Sequence, residues 1–502
     1  MQHSFTLASW IVLAVYILTV GIVGSLFYRK KSSASDYFLG GRAMGFIPVA
    51  ISLVAADMSA ISYMGIPAWS FGHNLELFLQ TVVFLMVVPV VMYLFLPFYS
   101  RFKFYTGYEY LERRFDLKTR LLGSALFLLT RGGHVAIVIY APSMVLSLLT
   151  GVPLTACVVV MGTITTLYTT LGGMKAVIWT DVLQFSILMS GVIMVFWLSL
   201  SRIPGHIHGF IHVAAASGRF HMFNFTTNPN DLTSVWAMIL GGGTLILSTM
   251  GTDQAYLQRY FATRSLREGR KSVLLDGLIV VPVGLLLFLL GTALFVFYQF
   301  NPSHLEGLPN VDVILPFFVV HELPAVLSGF VIASIFAASM AVMSAGINSL
   351  TTVTAVDFYQ RLLQKDPSGP HMVLVGRLGT VGWGVAATIG ALFAGRLGPL
   401  TNAFNKINSY LGGPILGIFL LGMLTRRAKG TPTVWGAVVG VLSVALIGWK
   451  TDFSFYYFSV IGLVVTFVVG YLLSLIGPAP DSEKLRGLVH GLNLLEAPIV
   501  KE

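Results

Sequence analysis

Long apolar stretches, separated by short polar or basic joints, run through almost the whole chain. A run of about twenty apolar residues is long enough to cross the hydrocarbon core of a bilayer as a helix. Thirteen such runs stand at approximately 6–28, 44–71, 77–99, 121–149, 152–171, 176–200, 233–252, 273–299, 322–356, 372–395, 398–424, 432–449 and 455–477. The pattern predicts an all-α polytopic membrane protein with about 13 transmembrane helices. Two runs are interrupted. In the second, Ser52, Asp57, Ser59, Ser62, Gly65 and Pro67 break the apolar pattern at mid-membrane. In the seventh, Gly241-Gly242-Gly243-Thr244 is followed by Ser248, Thr249, Gly251, Thr252 and Asp253. Unwound backbone is tolerated in a membrane only where it lines a cavity or is buried in protein. Interrupted runs at corresponding places in two blocks point to a transporter built of inverted repeats; kinked structural helices are the alternative. Spans 2–6 and 7–11 form two blocks of five, and an odd number of spans per block forces opposite orientations. The expected organisation is therefore 1–43, a first helix and cytoplasmic loop; 44–200, a first five-helix repeat; 201–232, an external loop; 233–425, a second, inverted five-helix repeat; and 426–502, two further helices and a cytoplasmic tail.

Composition agrees with a membrane protein, since 56% of the 502 residues are hydrophobic and 10% charged, against about 25% charged in a soluble domain. The first run, Thr6 to Phe27, is too long for a signal-peptide core and its basic cluster follows it, so it reads as a retained anchor. Charge sets the orientation. With the N-terminus outside and the C-terminus cytoplasmic, most of the 31 basic residues fall in cytoplasmic loops, Arg259, Arg264 and Arg267 among them, while external loops hold Arg202, Arg219, Arg396 and Lys450. This obeys the positive-inside rule and accounts for the net charge of +10 without nucleic acid. The expected location is the plasma (inner) membrane. The expected partners are the lipid bilayer and a small organic solute, with no obligate protein partner. The one cysteine excludes an intrachain disulfide and a cysteine metal cluster. His206, His208, His212 and His221 in the external loop fit no standard metal-ligand spacing and read as an ordinary polar loop. No metalloprotease or nucleophile motif appears, so the chain is not expected to be an enzyme or to hold a cofactor.

Ionisable groups inside the spans carry the candidate chemistry, because they are costly there. Asp57 sits at the unwound centre of the second span. Asp181 sits a short way into the sixth, just after Lys175. Arg131 sits in the fourth, where it can grip a carboxylate by a bidentate contact, pair with an acidic residue such as Asp57, or snorkel.

An ordered set of stretches adds a resemblance. Ser35-Asp36-Tyr37-Phe38-Leu39-Gly40-Gly41-Arg42 precedes span 2, Tyr108-Glu109-Tyr110-Leu111-Glu112-Arg113-Arg114-Phe115 follows span 3, and Gly172-Gly173-Met174-Lys175 leads on to Asp181-Val182-Leu183-Gln184. Then come Thr252-Asp253-Gln254, Gln258-Arg259-Tyr260, Asn348-Ser349 with Val356-Asp357-Phe358, Asn405-Lys406-Ile407, Gly412-Gly413-Pro414 and Gly422-Met423-Leu424. From about residue 30 to 430 the set resembles the sodium:solute symporter family, which includes glucose, iodide, monocarboxylate, multivitamin and sialic acid transporters. The resemblance implies the leucine-transporter-type fold, a 5+5 inverted repeat with broken helices.

It also implies a sodium site between span 2 and span 9, with backbone carbonyls at Ala55, Met58 and Ala338. Carbonyl oxygens suit a hard cation. Two hydroxyl side chains should complete the site at positions 341 and 342, where this chain has Ala341 and Val342, neither able to ligate an ion. Neighbouring Ser339 and Ser344 cannot fill those slots by a slip of two residues, which turns a helix by roughly 200°. Sodium coupling can use a second site matching Asp181 and Ser344; otherwise the coupling ion is a proton on a buried carboxylate, Asp57 or Asp181, or transport is uncoupled. For the solute, the resemblance and the midplane position of binding in this fold nominate Asp57, Ser62, Tyr63, Gln80, Thr81, Arg131, His134, Tyr140, Asn405 and Asn408. The sugar pattern is only partly kept, and Tyr140-Ala141-Pro142 resembles the monocarboxylate, iodide and multivitamin branch. The expected function is therefore a secondary transporter, a sodium-coupled importer of a small organic solute with a lean toward an organic anion. A proton-coupled or cation-independent transporter is the alternative, and a ligand-gated channel the rival from another class.

Overall fold

The computed structural model describes residues 6–28, 33–364, 368–395 and 400–490, apart from the side chains of 149 and 400–405. Among these residues ten helices are long and apolar enough to cross a membrane, and an eleventh crossing is the pair Phe46–Asp57 and Ala60–Gly72, bent by 63°. One of the ten, Leu154–Ser201, has 48 residues and would measure about 72 Å if straight, more than twice the ~30 Å hydrocarbon core. It reverses at Gly173, whose φ of 58° and ψ of −157° belong to glycine alone. Gln184 Nε2 consequently reaches the Tyr168 hydroxyl at 3.4 Å, although sixteen residues of straight helix span about 24 Å. Counting this hairpin as two crossings and adding the shorter apolar helix Ala237–Thr252 gives the thirteen spans expected.

The most enclosed rod is the ninth span, Ala325–Leu363, with 83% of its most apolar window buried against 28% for the first span, Leu7–Leu26. Small residues allow that enclosure, as is usual where helices associate in lipid. A Cβ at Gly329 would stand 2.7 Å from the Ser9 backbone, and Ser9 Oγ donates to the Ala325 carbonyl at 2.8 Å. The ninth span packs against the first, fourth, fifth and sixth.

The seventh span departs from expectation. Its glycine run does not unwind. The chain makes a wide helical turn over Ala237–Gly242 and continues as Gly243–Thr252. Gly241 serves contact instead, lying so close to the Tyr456 backbone that no Cβ fits. The break comes at Asp253, which adopts φ −75°, ψ 125° and caps the next helix, its Oδ1 accepting from Ala255 N at 2.7 Å. That helix, Gln254–Ala262, is buried along its whole length. The hydropathy pattern places it in a cytoplasmic loop because it is polar. Its glutamines and its arginine are nevertheless matched inside the protein, as the bilayer requires. Gln254 bonds the Gly107 amide at 2.9 Å and the Tyr105 carbonyl at 2.8 Å, and Gln258 Nε2 donates to the Phe38 carbonyl at 2.5 Å and Thr352 Oγ1 at 2.9 Å. Arg259, counted above among loop residues, is 1% exposed.

The end of the bundle that carries the basic loops is closed by charge pairs. Asp357 accepts from Thr106 Oγ1 at 2.7 Å, Ser124 Oγ at 2.7 Å and Arg120 Nη2 at 2.5 Å. Partial burial pushes the Glu112 carboxyl up, but hydrogen bonds from Arg361 and Arg120 outweigh it and hold the group below the usual range. The segment before residue 490 folds back over this end, with Tyr110 donating to the Leu488 carbonyl at 2.9 Å and Arg101 to the Gly487 carbonyl at 3.2 Å. At the other end, residues 201–232 hold the helix His206–Ala216, with His206, His208 and His212 exposed.

The hairpin at Gly173 gives a test. A Cβ there would lie 2.6 Å from the Tyr37 carbonyl at a positive φ. Gly173→Ala should destabilise the protein by at least ~1–3 kcal/mol and lower its melting temperature in detergent. Gly382→Ala, where no heavy atom stands within 4 Å of the new Cβ, should leave it unchanged. Equal behaviour of the two variants would refute the tight reversal.

Candidate functional site

The site is built on the break in the second span. Phe46–Asp57 ends because Met58 turns out of helical geometry, with φ −82° and ψ 87°, and Ser59 restarts the helix, its Oγ accepting from Ile61 N at 3.2 Å. Ser59 N donates to the Asp57 carbonyl at 3.1 Å, whereas a continuing helix would direct it to Ala55. The Ala55 carbonyl is thereby released from the helical pattern. Pro67, by contrast, lies inside Ala60–Gly72 without ending it.

Beside the break lies a cavity of about 710 Å³, within the usual range of small-molecule sites, ~300–1,000 Å³. It extends to residues 72–77 and 310–312 at the end away from Arg120 and Arg361. Asp57, Ser62, Gln80, Thr81, Arg131, His134, Tyr140 and Asn408 all line it. Asp57 is the exposed residue of the break. Tyr63 is not brought there: it is 1% exposed, and its hydroxyl pairs with Ser334 Oγ at 2.9 Å. The side chain of Asn405 lies outside the described residues. Further wall residues were not nominated from the sequence: Trp69, Phe84, Thr249, Tyr256 and Tyr456. Trp69, Phe84 and Tyr456 are aromatics in apolar runs, and Thr249 and Tyr256 carry no pattern of their own, so only placement marks them. Tyr456, from the last span, donates to Gln80 Oε1 and ties the thirteenth span to the third.

The floor is charged. Arg131 Nη2 pairs with Asp253 Oδ1 at 3.1 Å and Nη1 meets His134 Nδ1 at 2.8 Å, while Nε has no partner within the protein. Of the three roles open to Arg131, pairing is realised, with Asp253 rather than Asp57. Arg131 is 4% exposed, which is sustainable at this depth because a carboxylate faces it. The bridge links the fourth span to the break in the seventh.

At the cation positions, Ala55, Met58, Ala338, Ala341, Val342 and Ser344 are all buried, on two helices that pack together. Ser344 Oγ donates to the Ala341 carbonyl at 3.0 Å. The side chains at 341 and 342 offer no oxygen. Asp181, next to this region, is 0% exposed, and its Oδ2 accepts from Arg259 Nη2 at 2.7 Å and from Ser52 Oγ at 2.5 Å. Arg259 Nε also donates to Ser52 Oγ at 2.7 Å. Asp181 Oδ1 has no hydrogen-bond partner. The Gln258-Arg259-Tyr260 motif was the available signal for this partner, hidden by the loop assignment of the segment.

A bundle closed at one end, a cavity at a broken helix and a charged floor define a membrane transporter of the broken-helix class. The sodium:solute symporter family model matches residues 37–440, and the chain belongs to that family. It is 30% identical over 482 residues to a sodium/sialic acid symporter of Proteus mirabilis, covering 95% of this chain and 97% of the relative. It is 32% identical over 477 residues to a sodium/sialic acid symporter of Aliivibrio fischeri, covering 94% and 93%. A solved structure of a sodium-coupled sialic acid symporter, in a substrate-bound outward-open state, superposes with a TM-score of 0.89 at 29% identity, covering 95% of this chain and 99% of that one. The chain is thus an integral membrane transporter, not an enzyme, with the leucine-transporter-type fold.

The buried ion pair yields a prediction. Asp181→Asn alone leaves the Arg259 guanidinium without its counter-charge, a loss of about 3–5 kcal/mol, and should lower the melting temperature sharply. Combining it with Arg259→Gln should recover much of the loss. Additive losses in the double variant would mean that the two residues are not coupled.

Proposed function

We propose that this protein imports a small organic anion across the plasma (inner) membrane by alternating access, in symport with sodium. The observation that carries the solute class is the meeting of Arg131 and Asp57 on one cavity beside the broken second span. Arg131 offers charge-assisted donors to a carboxylate. Asp57 offers acceptors to hydroxyl or amide groups elsewhere on the same solute. A sialic acid, the solute named for the relatives, carries both kinds of group. A ligand-gated channel is less well supported, because the Arg131–Asp253 bridge and the Gln254 contacts floor the cavity at the basic end.

With the basic loops in the cytoplasm, the N-terminus outside and the C-terminus inside, the cavity is open to the exterior. The blocks 44–200 and 233–425 are the two repeats whose relative tilting would expose the cavity to either side. The segments 1–43, 201–232 and 426–502 flank and connect them.

Sodium is supported by family membership, by the carbonyls of Ala55, Met58 and Ala338, and by Asp181 with Ser344. A proton-coupled or uncoupled cycle is the second reading. It is favoured by Ala341 and Val342, which remove two ligands, and by Arg259, which already gives Asp181 a cation.

The test is uptake of labelled N-acetylneuraminate and a panel of monocarboxylates into liposomes holding the purified protein, under a sodium gradient, a pH gradient or neither. Saturable uptake and counterflow of one solute are expected; conduction without counterflow would overturn the transporter reading. Arg131→Gln should raise the KM for a carboxylate solute roughly 10- to 100-fold, the equivalent of the ~1.5–3 kcal/mol of a hydrogen bond to a charged group, and an unchanged KM would place the carboxylate elsewhere. Ala341→Ser combined with Val342→Ser should strengthen the sodium dependence of uptake and the sodium-induced rise in melting temperature, since a ligand binding only the folded state stabilises it by mass action. No change in either readout would mean that 341 and 342 do not face the ion.

A further inference from the structure

A carboxylate with no assigned role stands in the eighth span. Asp276 lies in the helix Leu266–Phe300, ten residues from its start and so about 15 Å along its axis. Leu274 and Leu278 on either side of it are 42% and 52% exposed, as expected where a helix faces lipid. Asp276 itself is 0% exposed, and neither of its oxygens has a hydrogen-bond partner. Nothing in the local sequence marks it, since a single acid in Val273-Leu274-Leu275-Asp276-Gly277-Leu278-Ile279 is diluted by its neighbours.

Its surroundings give it no hydrogen-bond donor, and the one cation that faces it is already paired with another carboxylate. Asp57 faces it from the second span, Arg259 from the segment after Asp253, and Tyr256 and Tyr260 from the same segment. Asp253 and Tyr99 stand beyond Tyr260, and Asp181 of the sixth span stands beyond Arg259. All three nitrogens of Arg259 are committed elsewhere: Nε to Ser52, Nη1 to the Ala255 carbonyl at 2.7 Å, and Nη2 to Asp181. The Tyr260 hydroxyl has no hydrogen-bond partner, and the Tyr256 hydroxyl is directed toward the Asp57 carboxylate. An ionised carboxylate so enclosed, without donors and beside a second carboxylate, loses its hydration and receives no hydrogen bond in return, with only a shared guanidinium charge to offset the loss. The same group carrying a proton is a neutral polar group, for which burial is far less costly.

We propose that Asp276 is a proton-binding site of the transport cycle, separate from the sodium positions, and holds its proton in the cavity-open conformation. The access route is short. Tyr256 lines the cavity and also faces Asp276. Its hydroxyl can pass a proton to the Asp276 carboxylate and regain one from cavity water, so that one proton is bound and no other group changes charge. The eighth span packs against both halves of the broken second span. Tilting of that helix therefore changes the surroundings of Asp276, and with them its hold on the proton. The role rests on the protein being a transporter but not on which solute it carries.

Infrared spectroscopy of the purified full-length protein tests the site without a solute. The carbonyl band of a protonated carboxylic acid lacking hydrogen bonds should be present at neutral pH in the wild type and in Asp57→Asn, and lost in Asp276→Asn. Its presence in Asp276→Asn, or its disappearance on adding sodium chloride at fixed pH, would overturn the proposal, the second result marking a cation site instead. With the solute found in the uptake screen, Asp276→Asn should keep counterflow but lose the dependence of net uptake on pH, and Asp276→Glu should restore it. An unaltered pH profile in a folded Asp276→Asn would also overturn it. Failure of the wild type to transport any solute bears on the transporter reading and leaves the infrared result standing.

Discussion

One guanidinium fastens the central helices of this molecule together. Arg259 reaches Asp181 on the sixth span and Ser52 on the first half of the broken second span, while its own helix begins at the break in the seventh. In water such contacts would be worth little. In a bilayer core the separated groups have no solvent to fall back on, so the arrangement is held by the penalty for undoing it. The same logic governs the short polar helix around Arg259. Gln254 and Gln258 are tolerable at this depth because each of them finds backbone partners on other segments. The joint between the two interrupted spans is therefore polar and specified, like the charge pairs that close the basic end.

This constraint explains what could be read from the sequence. Apolar length reports a crossing, and both the lipid-facing spans and the enclosed ninth were legible by it. The break at Asp57–Ser59 was legible because polar residues in a hydrophobic run have few other uses. Gln254–Ala262 was not, because a fully enclosed helix answers to its protein neighbours and its composition resembles that of a loop. Gly241–Gly243 misled for the opposite reason: glycine marks both unwinding and close approach, and only the Tyr456 backbone beside Gly241 decides between them. Most of the cavity lining nominated from resemblance came together. Tyr63 did not, since its side chain turns from the cavity to Ser334. The partnership of Asp253 with Arg131 depends on the fold of a segment that hydropathy assigned to a loop.

Family membership and the local chemistry point in different directions at positions 341 and 342. The fold and most of the chain's length follow the sodium-coupled relatives. A fold of this kind is maintained by packing along whole helices, whereas ion choice rests on a few oxygen atoms. Two side chains can change without disturbing the superposition, as the buried, well-packed Ala341 and Val342 illustrate.

The reversal at Gly173 has a mechanical side. The fifth and sixth spans meet in a single residue, with no intervening loop to absorb strain, and Tyr168 and Gln184 clasp across the bend. The two spans therefore form a rigid V. One arm presses on the first span and the other carries Asp181 to Arg259. Through Ser52, Asp181 and the apex at Gly173, the broken helix and the outer wall of the bundle are joined in one continuous set of contacts.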